Sequence, residues 1–467
     1  MKLSKIALSV IVLFSLAFLI YEILGYFNFN FAMYDLGLYN RHMWSLVRFD
    51  FSANPIRGFN LLGDHSHFIL FLFIPIYALF QTPLTLVIIQ ALAIGISGLP
   101  IYLIAKKYLK NEYSSILFLI AYYLYFGFAS GLAFPFHLST LSVLPLAFAL
   151  YFLLQKNYKL LVIFLVVLLL TKEDLPLVVI MFGLYLIIIQ KQYKLGGIIM
   201  AVSALYFIFL SKYFLPTISG HKYSYSETSK LGSGFLEITI NIIKKPFVFI
   251  KEMYQPADKL RIIKYSLFSF AGLSLFGLEI FLLLSPIWLG RFLSNLPSRW
   301  LTVFHYSANQ GPILAVAAII GAERIASFLK VYLKKEYLIA GLSVLVLGCS
   351  LFVNYKLRSP ILKIFTKNFY LDSPEKKTAR TAISMIPKDA SVAAGSPFVN
   401  LSSRKEIYMA PIEFDKLKPD YIMINSLDYY PFGSKEEAIV YAEEALQKYG
   451  YQELVNENGI YLLKKGY

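Results

Sequence analysis

Apolar runs of about 18 or more residues recur along the first three quarters of this chain, the length a helix needs to cross the hydrocarbon core of a bilayer. Such runs leave few folds open. Away from water every backbone group must find its partner within its own segment, so they are helices. Composition agrees, with 58% of the 467 residues hydrophobic and 15% charged, against about 25% charged in a soluble domain. The first run, Ile6 to Tyr26, follows Lys2 and Lys5 and has no small-x-small cleavage site behind it, so it reads as an uncleaved anchor and first span. The fold class that follows is a polytopic α-helical membrane protein of about eleven transmembrane helices, with a small α/β domain at its C-terminal end.

The single cysteine, Cys349, lies in an apolar run, which excludes an intrachain disulfide and a Cys-based zinc site. The net charge is +16, of which the tail carries only +2. The excess sits in short loops, as the positive-inside rule produces, and is not a nucleic-acid footprint. Those loops are the N-terminus, Lys106 to Lys110, Lys156 to Lys159, Lys191 to Lys194 and Lys330 to Lys335. Setting them in the cytoplasm predicts spans at 6–26, 83–105, 113–131, 138–154, 158–172, 175–190, 195–215, 262–278, 279–294, 311–329 and 337–354. The apolar stretch 67–80 is short and contains Pro75, so it reads as an interfacial or re-entrant helix.

The expected organisation is a transmembrane domain over 1–354 and an extracytoplasmic α/β domain over 355–467. External loops span 28–82, with interfacial helices, and 216–261. The protein is placed in the cell membrane as a multi-pass chain with a cytoplasmic N-terminus. In the tail, 375–385 and 435–449 read as helices, and 391–394, 421–424 and 460–463 as strands. The tail has no Gly-rich phosphate loop and no nucleophile motif.

The polar clusters fall in or beside the predicted external segments. Asp35 stands at the start of a stretch with apolar residues at 36, 39, 43 and 46, a helical spacing. It reads either as a helix cap or as a general base taking a proton from an acceptor hydroxyl. Asp64-His65-Ser66-His67 reads as a divalent cation site, a polar site or another cap. His137 follows Pro135-Phe136. Lys172-Glu173-Asp174 sets three charges between two apolar runs, a costly placement that favours a polar cavity over lipid; a plain tight turn is the alternative. His305 lies a few residues after Arg299, and the two could grip a phosphate, the guanidinium through its planar fork of donors.

On these residues the chain resembles a known family. Tyr-Asp-Leu-Gly (34–37), Asn-Leu-Leu-Gly-Asp-His (60–65), Phe-His (136–137), Lys-Glu-Asp (172–174) and His-Tyr-Ser-Ala (305–308) follow in the order seen in the predicted membrane proteins called domain of unknown function 2079. That family looks like a branch of the GT-C glycosyltransferases, which take sugars from polyprenyl-phosphate carriers. The resemblance implies a GT-C-like bundle and a catalytic aspartate in the first external loop, the place Asp35 occupies. The chain departs from the pattern where Leu138-Ser139 stands in place of Pro-Glu, which removes one carboxylate.

The implied function is transfer of a sugar from a polyprenyl-phosphate donor to an external glycan, lipid or protein acceptor. Asp35, Asp64, His65, Glu173 and Asp174 are its candidate catalytic residues. His137, Lys172, Arg299 and His305 are the candidate substrate contacts. The only cofactor entertained is a divalent cation, magnesium or manganese, at Asp35, Asp64 and His65. Membrane lipid is an expected partner and nucleic acid is not. A lipid or solute transporter, a flippase, and a non-catalytic scaffold or receptor are the alternatives.

Overall fold

The structure is a computed structural model and describes residues 3–222, 230–232 and 235–466. Part of the expected loop 216–261, residues 223–229, 233 and 234, lies outside them.

Seven helices among the described residues are long and apolar enough to cross a membrane. They are Lys5–Phe27, Pro83–Leu109, Glu112–Ala133, Leu138–Gln155, Tyr193–Ser219, His305–Leu329 and Lys335–Lys356. Phe68–Leu79, Tyr158–Leu169 and Leu175–Ile188 are shorter apolar helices. The two spans expected over 262–294 are not continuous helices. Helix Ala257–Phe268 is followed by Ala271 and Gly272, both at positive φ, and then by short helical pieces at Leu273–Phe276, Leu278–Phe281, Leu282–Leu284 and Ser285–Phe292. The broken stretch lies close against the helix Gly311–Leu329, and glycine permits the approach. A Cβ on Gly277 would sit 2.2 Å from the Ala317 carbonyl oxygen, and one on Gly321 would sit 2.1 Å from that of Leu273. Backbone cannot yield as a side chain can. Gly321→Val is therefore expected to lower the detergent-solubilised melting temperature, at an overpacking cost of about 1–3 kcal/mol. Gly341→Ala, where an added Cβ meets nothing within 4 Å, should be neutral or stabilising. Equal melting of both variants would refute this account of the contact.

Contacts divide the chain into two units: Met1–Leu19, His65–Ile69 and Gln90–Leu362 form the first, and Ile20–Asp64, Leu70–Ile89 and Lys363–Tyr467 the second. The second unit takes in part of the first loop together with the tail.

The second unit holds a five-stranded sheet of β1 (Val392–Ala394), β2 (Ile407–Met409), β3 (Tyr421–Asn425), β4 (Tyr451–Glu457) and β5 (Ile460–Lys465), in the order β2-β1-β3-β5-β4. Strand β1 runs parallel to β2 and β3, while β5 is antiparallel to β3 and β4. Alternation sorts the two faces. Val392, Ala394, Tyr421 and Met423 pack with Ala379 and Ala382 of helix Pro374–Ser384, whereas Ala393, Ile422 and Ile424 pack with Ala438, Ala442 and Ala445 of helix Lys435–Lys448. Serine starts both helices: Ser373 accepts from Lys376 N, and Ser434 from Glu437 N. The first face also takes in Phe29 and Met33 of the first loop. Met33 N donates to the Ser396 carbonyl at 2.7 Å, and Asn40 Nδ2 to Ser402 Oγ at 2.7 Å.

Candidate functional site

In the first unit the expected charged turn joins helices Tyr158–Leu169 and Leu175–Ile188. Thr171, Lys172 and Glu173 are buried and Asp174 is exposed. Glu173 is committed on both oxygens. Oε1 lies 2.8 Å from His65 Nδ1, and Oε2 accepts from Ser66 N at 3.3 Å. Ile69 N donates to the Leu170 carbonyl at 2.7 Å, so the segment 65–69 is stitched along the turn. Burial raises the Glu173 pKa, but the His65 imidazole outweighs burial and holds the carboxyl below its usual range.

His137 lies edge-on to His65, with ring centroids 6.0 Å apart, and stacks on His305 at 3.3 Å and 13°. Both belong to N-terminal turns. His137 caps Leu138–Leu141, its Nδ1 accepting from Ser139 N at 3.1 Å, and His305 opens the helical run that continues through Gly311–Leu329. A lone pair spent on Ser139 N puts the ring proton of neutral His137 on Nε2. Burial first, then His305 and Lys172, hold the His137 imidazole well below its ordinary pKa. Gln90 fixes the backbone here, accepting from His137 N at 2.9 Å and donating to the Gly131 carbonyl at 3.2 Å.

His305 is 3% exposed, and neither ring nitrogen has a hydrogen-bond partner. An unpaired buried polar group costs about 1–3 kcal/mol. Its ring contacts Tyr306 and Phe134, with centroids at 4.1 and 4.8 Å. The Lys172 ammonium lies 5.7 Å from the Tyr306 ring centre and 3.9 Å from Asp174 Oδ2, and Arg299 is within electrostatic reach of it. Five of the expected residues, His65, His137, Lys172, Glu173 and His305, thus converge with Tyr306 between helix ends. Asp174 and Arg299 border them. The group presents the buried Lys172 ammonium, with Arg299 in electrostatic reach, beside an imidazole array, a setting suited to an anionic oxygen.

Asp35 and Asp64 belong to the second unit. Arg57 Nη2 lies 3.1 Å from Asp64 Oδ1. Tyr34 is near both aspartates: burial raises its phenol pKa, Arg57 opposes this, and Asp64 and Asp35 add to it. Asp35 has φ 67° and ψ −79°, inside a kink that precedes helix Leu38–Leu46. That is the sparsely populated γ-turn region, strained for a residue with a Cβ. Gly37 holds the cap position of that helix, and the Asp35 carbonyl accepts from Leu38 N.

Among the described residues no group of three His, Cys, Asp or Glu could hold a metal ion. Arg57 pairs with Asp64, and Glu173 with His65. Sequence reasoning passed over Gln90, whose only signal is a lone amide inside an apolar run, and the role of Tyr306 beside Lys172.

Long apolar helices and a small α/β sheet define a multi-pass helical membrane protein. The chain belongs to the family described as predicted membrane protein, domain of unknown function 2079, whose model matches residues 25–462. No curated protein matches it. Among solved structures it is similar to ArnT from Cupriavidus metallidurans bound to undecaprenyl phosphate, at 11% identity and a TM-score of 0.49, over 96% of this chain and 97% of that one.

Proposed function

We propose that the protein is a membrane glycosyltransferase that takes a sugar from a polyprenyl-phosphate donor, on the face of the membrane opposite its lysine-rich loops. The motif resemblance of the sequence supports this reading. The observation that carries it is the convergence of Lys172, His305 and the Glu173–His65 pair between helix ends, with Arg299 beside them, where a lipid phosphate can be held while its chain stays in the bilayer. In the reaction an acceptor hydroxyl attacks the anomeric carbon. Asp35 takes the hydroxyl proton, the bond from carbon to phosphate oxygen breaks, and the polyprenyl phosphate leaves with the electron pair. The cations offset the charge that develops on the leaving oxygen. We read the bundle as about eleven crossings, the stretch 262–294 counting as two interrupted ones, and the tail as extracytoplasmic.

The test is to incubate purified protein with a panel of polyprenyl-phosphate sugars and follow sugar release. Lys172→Ala and Arg299→Ala are each expected to raise the KM for the consumed donor about tenfold or more, the value of one lost charge-assisted bond. A wild-type protein that consumes no member of the panel would overturn the reading.

A further inference from the structure

The second unit contains a small cavity whose position follows from strand order. Strand β1 has β2 on one side and β3 on the other. The chain leaves β1 toward β2 and leaves β3 toward β4 and β5, in the opposite direction. In an α/β sheet ligands bind where neighbouring parallel strands diverge in this way, at their carboxyl ends. A cavity of about 160 Å³ lies there. Its walls include Pro397 and Phe398, which follow β1, and Asn425 and Asp428, which end and follow β3. Glu375, Lys376 and Ala379 of helix Pro374–Ser384, and Asn28, Phe29 and Asn30 of the first loop, complete it.

The lining is mixed, and its polar groups are pre-set. Asn425 Nδ2 donates to Glu375 Oε1 at 2.6 Å, and Asn425 Oδ1 accepts from Leu427 N at 2.8 Å and Asp428 N at 3.2 Å. Lys376 Nζ is spent on the wall, 2.8 Å from Asn28 Oδ1 and 3.2 Å from the Leu371 carbonyl. Two carboxylates therefore face the cavity with amides between them, and the only cation is already engaged. Partial burial, and then the neighbouring Glu375, push the Asp428 carboxyl above its usual range.

We infer that this cavity binds one neutral or amine-bearing sugar ring. Its volume is below the roughly 300–1,000 Å³ of sites for drug-sized ligands, which limits the occupant to about a single ring. Carboxylates accept from hydroxyls, and amides both donate and accept, which matches a ring edged with hydroxyl groups. The paired carboxylates repel a uronate or a phosphate and welcome an ammonium. The inference stands apart from the transferase reading, because sugar binding is measured without turnover and either can fail alone.

The experiment is titration calorimetry of the full chain in detergent with glucose, mannose, glucosamine and glucuronate. Saturable binding of a neutral or amino sugar is expected, with none for glucuronate. Asp428→Asn should weaken that binding about tenfold or more. Glu375→Gln keeps the shape and the bond from Asn425, and provides the same test should the first variant not fold. The inference is overturned by no saturable binding of any of the four, by glucuronate binding as tightly as glucose, or by unchanged binding in a folded variant.

Discussion

Asp35→Asn is expected to slow sugar transfer by about a hundred- to ten-thousand-fold, the range that a positioned proton acceptor contributes. Asparagine keeps the size and tolerates positive φ, so expression and melting should hardly change. A second substitution separates chemistry from architecture. Asp35 sits at φ 67° and ψ −79°, a conformation that glycine reaches with little strain. Asp35→Gly should therefore match or exceed wild-type stability while losing transfer to the same degree. Were the residue held there only to shape the chain entering helix Leu38–Leu46, Asp35→Gly would transfer sugar at the wild-type rate. Strained residues in proteins cluster at functional sites, and both variants are read in one assay of sugar release against melting temperature.

Glu173→Gln is expected to cost about 3–5 kcal/mol of stability, because removing one partner of a buried pair leaves the other uncompensated. Glutamine can still accept from Ser66 N, so the loss isolates the charge facing His65. The pH dependence follows from the direction of the shift. The folded Glu173 carboxyl is held below its ordinary pKa. Its contribution is complete above the unfolded value of about 4.3 and is lost as pH falls toward the folded one. Thermal melts in detergent should show the gap between wild type and variant closing as pH falls below about 4. A gap that stays constant down to pH 3 would mean that Glu173 is protonated throughout, and the ion-pair account would fail.

The sequence exposes those parts of the fold that depend on runs of one residue type. The expected span 138–154 is the helix Leu138–Gln155, and the expected helix 435–449 is Lys435–Lys448. In each, periodicity and length leave one solution. The stretch 262–294 is as apolar broken as it would be straight. Its interruption depends on Ala271 and Gly272 at positive φ and on the fit of Gly277 against Ala317, which are tertiary facts. Strand β4 was not legible because it is an edge strand with mostly exposed residues, and β2 has only three. At the candidate site the residue types were legible and the pairings were not. Nothing local says that His65 meets a carboxylate 108 positions away. Nor does the spacing of Asp64 and His65 reveal that Arg57 pairs with the first and Glu173 with the second.

Phe29 and Met33 share one hydrophobic core with Ala379, Val392 and Met423, and this bears on how the protein can be taken apart and how it evolves. A fragment beginning after the last long helix would carry an open seam where those two side chains belong, and should aggregate when secreted by itself. Transplanting the C-terminal part between relatives will succeed only when the segment after the first anchor travels with it.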